Sequence, residues 1–323
     1  MFLRRIVQNV HNSFSKMKKI VIAMDLGGTN MRFAAVRSNG EIVASLRSKT
    51  PGGDASVVFA AIVSGIAGVI QRSKVRKPLA ISAAVPTTST TPEGILSKLP
   101  NLPALDHFDL GGSLRNEFNV PVLVVNDATS ATIGEHWLGA SKYARTVIGI
   151  TLGTGVGGGL IVDGKPHSGA DGSAGEIGHF CVDPNGPMCG CGSNGCLEQY
   201  VSGTAIVRFA KDVGLSVGTS KDVFELAMSG NELAAGVFDH AGRHFGVALA
   251  NLINILNPEK IVVGGGVAAG WRLLKPAVLA EVEKRAFAIP AERVTIVRAK
   301  LGDRAGVLGA ARIAYLKSAE MEK

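Results

Sequence analysis

The 323-residue chain has no apolar run of membrane-spanning length that is free of charge or glycine. A spanning helix is therefore not expected. It has only four cysteines, and no segment resembles a secretory signal with an apolar core and cleavage site, which disfavours a disulfide framework and points to the cytoplasm. Residues 1–19 contain no acid, although they hold Arg4, Arg5, Lys16, Lys18 and Lys19. Removing these five from the formal net charge of +8 leaves +3 over the other 304 residues. That balance gives no reason to expect a nucleic-acid partner.

What is present is 46% hydrophobic residues and 41 glycines, which suits a glycine-loop-rich α/β enzyme of two domains. Residues 1–16 place Leu3, Ile6, Val10 and Phe14 at helical spacing among basic and polar residues. An organellar presequence or a membrane-surface helix has this pattern. The simpler reading is a disordered extension ahead of a natural start at Met17, with no stable membrane association.

Three of the cysteines, Cys189, Cys191 and Cys196, lie close together after His179. Zinc prefers tetrahedral sulfur and nitrogen ligands, and three thiolates with one imidazole make a common structural set. Gly190, Gly192 and Gly195 let the backbone turn tightly enough for the thiolates to converge. The C-x-C-x₄-C spacing is not the common C-x₂-C knuckle, so a disulfide pair and inert buried thiols are rival readings. The reading preferred here is structural zinc on His179, Cys189, Cys191 and Cys196, with Cys181 left out as a small buried hydrophobe. Two carboxylates, Glu176 and Glu198, bracket this stretch.

Along the chain, strands are expected near 19–25, 31–36, 41–47, 78–85 and 120–126, with a helix over 54–73 whose apolar residues share one face. The pattern restarts with a strand at 146–152, a glycine turn and a strand at 159–162. Helices over 203–256, strands at 260–263 and 293–298 and a last helix from about 305 complete it. Asp25-Leu-Gly-Gly-Thr-Asn30 and Thr151-Leu-Gly-Thr-Gly-Val156 each join two short strands, as two facing phosphate loops in a duplicated domain would. Alternating strands and helices around them argue for α/β layers.

Exposed backbone N–H groups in such loops can hold phosphate oxygens. Gly153-Thr-Gly155-Val-Gly-Gly158 matches the dinucleotide G-x-G-x-x-G pattern, but a strand follows where that fold needs a helix. Gly159-x₄-Gly164-Lys165 nearly spells a P-loop, yet Pro166 stands where Ser or Thr should hold Mg²⁺. Both are rejected. Asp127 follows a hydrophobic strand and opens a helix, a position that fits a helix cap and a catalytic base equally well.

These segments, together with Gly175-Glu-Ile-Gly-His179, Val263-Gly264-Gly265-Gly266 and Asp303-Arg-Ala-Gly306, make the chain resemble the ROK-family sugar kinases from about Met17 to Ala314, the glucose-phosphorylating bacterial members most of all. The resemblance implies a two-domain, actin-like (ribonuclease H-like) ATPase fold with an interdomain cleft. It implies a small domain over 17–125, completed by the helix 305–321, and a large zinc-bearing domain over 126–304. It assigns Asp25, Gly27, Gly28, Thr29, Asn30, Gly153, Thr154, Gly155, Gly264, Gly265 and Gly266 to ATP, with Mg²⁺ near Asp25. Asp127 becomes the base for the 6-hydroxyl of a hexose, which Asn126, Glu176, His179 and Glu198 help to hold. The resemblance also brings Asn101 toward the sugar. A homodimer or homotetramer is implied. The chain departs from the family at Pro86-Thr87, usually Pro-Gly, and at Thr129, often Asn, which leaves the preferred sugar open among glucose, N-acetylglucosamine, N-acetylmannosamine, mannose and fructose. The family also contains repressors with a DNA-binding domain before the first glycine loop, for which the 24 residues ahead of Asp25 are too few.

Overall fold

The structure, a computed structural model, describes residues 19–87, 93–99 and 101–321. The expectations for residues 1–16 and for a start at Met17 lie outside the described residues. The chain divides into two compact units. The first runs to Leu138 and takes in Ala170–Ser173 and the chain from Asp303. The second comprises Gly139–Gly169 and Ala174–Gly302.

In the first unit, strands β1 (Ile20–Leu26), β2 (Asn30–Arg37), β3 (Ile42–Lys49), β4 (Ala80–Val85) and β5 (Val122–Asn126) form one sheet in the order β3-β2-β1-β4-β5. The β1–β2 and β2–β3 pairs are antiparallel, while β4 and β5 run parallel to β1. Helix α1 (Ala55–Ser73) starts at Asp54, whose Oδ1 accepts from the N–H groups of Ser56 and Val57. Its length of 19 residues and mean hydropathy of 1.7 would let it cross a membrane by composition alone. Its buried stripe of Val58, Ile62, Ile66 and Val69 instead packs into the core around Ile22, Met24, Phe33 and Ile81. Helix α2 (Leu110–Phe118) precedes β5, and α3 (Asp127–Leu138) follows it.

In the second unit, β6 (Val147–Leu152), β7 (Val156–Val162), β8 (Lys165–His167), β9 (Lys260–Gly264) and β10 (Thr295–Arg298) have the order β10-β9-β6-β7-β8. Again the first three strands are antiparallel and the last two are parallel to the first. Read from its first strand outward, this is the same topology as in the first unit, so the echo between the two glycine turns belongs to a repeated architecture. Between β8 and β9 lie α4 (Glu198–Val201), α5 (Gly203–Asp212), α6 (Ser220–Met228) and α7 (Glu232–Leu256). The long α7 buries Phe238, Phe245 and Leu249 against Ile148, Ile150 and Val263. Helices α8 (Trp271–Arg285) and α9 (Ala288–Arg293) precede β10.

The last helix, α10 (Ala305–Met321), packs on β1, β4 and α3 of the first unit. A Cβ on Gly309 would collide with the Ser130 carbonyl, so α3 and α10 approach backbone to backbone. This packing draws α3 into the first unit, and the boundary falls after Leu138 rather than at residue 126. Tyr315 ties α10 to the sheet by donating to the carbonyls of Lys19 and Val36.

Candidate active site and metal centre

The expected site residues fall into two groups, one on each unit. On the first unit, β1 ends in Asp25, and Gly27 to Thr29 turn the chain into β2 at Asn30. The Gly27 N–H donates to the Asn30 carbonyl at 3.0 Å, and Thr50 braces the turn through its hydroxyl on Gly27 O at 2.6 Å and its N–H on Thr29 O at 3.0 Å. A Cβ on Gly28 would stand 3.0 Å from the Asn101 carbonyl, so the segment containing Asn101 covers the turn.

Asp25 lies against Gly306 at the start of α10. Its pKa is raised from 3.8 to about 6, first by burial and then by the charge of Asp127. Arg32 opposes this from 3.6 Å, while also donating to Asp303 at 2.7 Å.

Asn126 and Asp127 sit where β5 passes into α3. The Asn126 Oδ1 accepts from the Thr129 N–H at 2.8 Å, and its Nδ2 donates to the Thr87 carbonyl at 2.9 Å. Asn126 therefore supplies an N-terminal cap of α3. The Asp127 Oδ1 accepts from its neighbour Ala128 N–H at 2.7 Å. Burial pushes the Asp127 carboxyl above the ordinary carboxylate range, against the opposing pull of that hydrogen bond. A carboxylate held this way is a stronger base than one in water.

On the second unit, the glycine turn is shorter than the sequence implied. β7 already starts at Val156, so Gly157 and Gly158 are strand residues and only Gly153, Thr154 and Gly155 form the loop. The loop is held from below at both ends. The N–H of Gly203 donates to Gly153 O at 2.7 Å, and the Thr204 hydroxyl donates to Thr154 O at 2.9 Å. Glu198 accepts from the Val156 N–H at 2.9 Å. Its carboxylate occupies the space that a Cβ on Gly155 would need. Glu198, expected as a sugar ligand, thus braces the glycine turn. Gly264 ends β9 beside Thr151, and Gly265 takes a φ of +86° against the end of β6, close to the Leu152 carbonyl. Gly266 follows at the head of a short 3₁₀ turn, Val267–Gly270.

Glu176 precedes the 3₁₀ turn Ile177–His179 and His179 ends it, its N–H donating to Glu176 O at 3.1 Å. The ligand atoms of His179, Cys189, Cys191 and Cys196 all lie within 4.8 Å of one another. Cys189 Sγ is 3.5 Å from His179 Nδ1, and Cys191 Sγ is 3.6 Å from Cys196 Sγ. Tetrahedral zinc with ordinary bond lengths sets its ligand atoms roughly 3.5–3.8 Å apart, so the set fits the ion. Burial pushes the Cys196 thiol up to about 12, whereas the Ser193 N–H draws the Cys191 thiol down. A dication bound there would hold both as thiolates. With Nδ1 toward the sulfurs, His179 keeps Nε2 for another partner.

Cys181 departs from expectation: it is exposed, not buried. Its backbone bridges that of Cys196, through Val182 N–H to Gly195 O and Leu197 N–H to Phe180 O. The role of Cys181 in shaping the loop is thus carried by its main chain.

Tyr200 and Arg32 went unremarked in the sequence, and Thr87 drew notice there only as a departure from the family pattern. Tyr200 donates to Asp183 at 3.0 Å and stacks on His244 of α7 with ring centres 3.8 Å apart, which pins the cysteine loop to the core. Thr87 is buried, bonds Ser97 at 2.6 Å and holds Asn126 through its carbonyl. Arg32 is a lone cation in an otherwise apolar stretch of β2, and that contrast was its only signal.

Two copies of one strand order, a glycine turn on each and a buried carboxylate beside one of them define an α/β protein of the phosphate-handling kind. The model of the ROK family matches residues 21–317. The glucokinase of Halalkalibacterium halodurans is 37% identical over 326 residues, spanning 94% of this chain and 97% of its own. The crystal structure of a ROK family glucokinase from Streptomyces griseus in complex with glucose and AMPPNP aligns with a TM-score of 0.77 at 31% identity, covering 92% of this chain and 99% of that one. The Escherichia coli DNA-binding transcriptional dual regulator NagC is 31% identical over 258 residues, covering 76% of this chain and 63% of its own. The chain belongs to the ROK family, and it has the mixed α/β, actin-like fold of the ROK sugar kinases.

Proposed function

We propose that this protein is an ATP-dependent hexokinase that phosphorylates the 6-hydroxyl of glucose. The observation that carries the reading is Asp127, a carboxylate with a raised proton affinity that is spared from capping its helix by Asn126. A neutral alcohol is a poor nucleophile, and a carboxylate in hydrogen-bond reach takes its proton as the new O–P bond forms. Asn126, Glu176, His179 and Glu198 hold the sugar hydroxyls and fix that geometry. The Gly27–Asn30 and Gly153–Gly155 turns present N–H groups to the phosphates, and Gly264–Gly266 lie by the adenosine. The similarity to a glucokinase over 94% of the chain supports glucose as the sugar.

Mg²⁺ fits beside Asp25, where burial and the charge of Asp127 outweigh the opposing charge of Arg32 and leave the carboxyl in need of a cation. When bound, Mg²⁺ neutralises phosphate charge during transfer. Zinc fits the three thiols and His179 as a structural ion: four protein ligands leave it no open position, and it shapes the loop that carries Glu176 and His179. A homodimer or homotetramer is the proposed assembly.

A coupled ADP-release assay over hexoses and N-acetylhexosamines, with ATP and polyphosphate as donors, tests the reading. Turnover fastest with glucose and ATP is the expected result. No turnover with any sugar would favour a transcriptional regulator, the function named for the similar Escherichia coli protein.

A further inference from the structure

The first unit has a cationic cavity that the phosphoryl-transfer reading leaves unused. It has a volume of about 540 Å³, within the range of small-molecule sites. Ile42, Leu46 and Val307 give it an apolar wall, and Arg47, Arg72 and Arg304 line it with Arg32 and Asp303. Asp303 is the one carboxylate among four guanidinium groups. It receives Arg32 at 2.7 Å and Arg47 at 3.5 Å, while Arg72 donates to the Ser45 carbonyl at 3.1 Å. Among the described residues Arg304 has no ion-pair partner, and the Nε of Arg32 is buried without a hydrogen-bond acceptor.

Four guanidinium groups around one carboxylate leave a net positive charge with open donors. Guanidinium forks match phosphoryl oxygens in pairs, which is why such clusters suit phosphate. The apolar wall gives the remainder of a ligand a surface to cover. We propose that this cavity binds a small phosphate monoester, with its phosphoryl group on Arg47 and Arg304 and its organic part along Ile42 and Leu46. A bare phosphate ion would leave the apolar wall uncovered and bind more weakly. The site also reaches the phosphate turn. Arg32 spans Asp303 and Asp25, so an anion that competes with Asp303 for these arginines alters the charge facing Asp25. That consequence rests on the proposed kinase activity, whereas the binding does not.

Calorimetric titration of the full-length protein with glucose 6-phosphate and, separately, inorganic phosphate tests the site. Each titration is run alone and again with saturating glucose and AMPPNP, so that the arginine dependence is read whether or not the kinase reading holds. Glucose 6-phosphate is expected to bind under both conditions and more tightly than inorganic phosphate. Arg47→Ala and Arg304→Ala are each expected to raise its Kd by about tenfold, with the melting temperature unchanged, since each removes one charge-assisted pair. An unchanged Kd in the doubly substituted protein, or no binding to the wild type at millimolar ligand, would overturn the proposal. Loss of turnover in the coupled assay with this arginine-dependent binding retained would count against the kinase reading alone.

Discussion

Replacing Asp25 by Asn should make the protein more stable at neutral pH while removing its activity. The folded-state pKa of Asp25 is raised to about 6 from the ordinary 3.8. The folded state therefore binds more protons than the unfolded chain between these two values, and stability falls as pH rises through that window. At about 1.4 kcal/mol per unit, the cost at pH 7 has a ceiling of about 3 kcal/mol. The amide has no proton to lose and so escapes this cost. Arg32 loses one carboxylate partner but keeps Asp303 at 2.7 Å, which trims the gain to about 2 kcal/mol. Urea unfolding of both proteins from pH 4 to pH 8, without Mg²⁺ or nucleotide, measures it. The two curves should nearly meet at the acid end and separate as pH rises, with the variant the more stable. Parallel curves, or a variant less stable at pH 7, would refute the claim that burial and Asp127 outweigh Arg32 at this carboxylate.

The other predictions concern the base, the metal and the helix contact. Asp127→Ala should lower kcat at least a hundredfold while leaving glucose binding measurable by calorimetry; near-normal turnover would remove Asp127 as the base. In the wild type, kcat should fall on the acid side with an apparent pKa above the ordinary carboxylate range, because burial raises Asp127. Elemental analysis should find about one zinc per chain, and Cys189→Ser should lose it and lower the melting temperature; a zinc-free wild type with full activity would count against the metal centre. Gly309→Ala should destabilise the protein by several kcal/mol, about 3 or more, because its Cβ meets the Ser130 carbonyl with no flexible side chain to yield; an unchanged urea midpoint would show that α3 and α10 part readily.

Much of this protein is legible in the order of its residues. Strand and helix periodicities are local, so the alternation, the helix Ala55–Ser73 and the two glycine turns could be read directly. The candidate metal cluster was legible because soft ligands are scarce in this chain and three of the four cysteines fall within eight residues. The reading stopped where partners come from distant segments. Cys181 looked like a core thiol, but the backbone bridge to Cys196 leaves its side chain exposed. The first compact unit runs on to Leu138, past residue 126, because contact between α3 and α10 joins segments far apart in the chain.

By itself, then, the sequence determined the classes of residue that could act and the turns that carry them, since both depend on short-range chemistry. The tertiary structure decided what each of those residues is free to do. It gave the helix cap to Asn126 and left Asp127 a buried carboxylate. It set Glu198 beneath the loop at Gly155 and placed Arg32 between Asp25 and Asp303. Burial and hydrogen-bond competition settle these roles, and both depend on which distant segments the fold brings into contact.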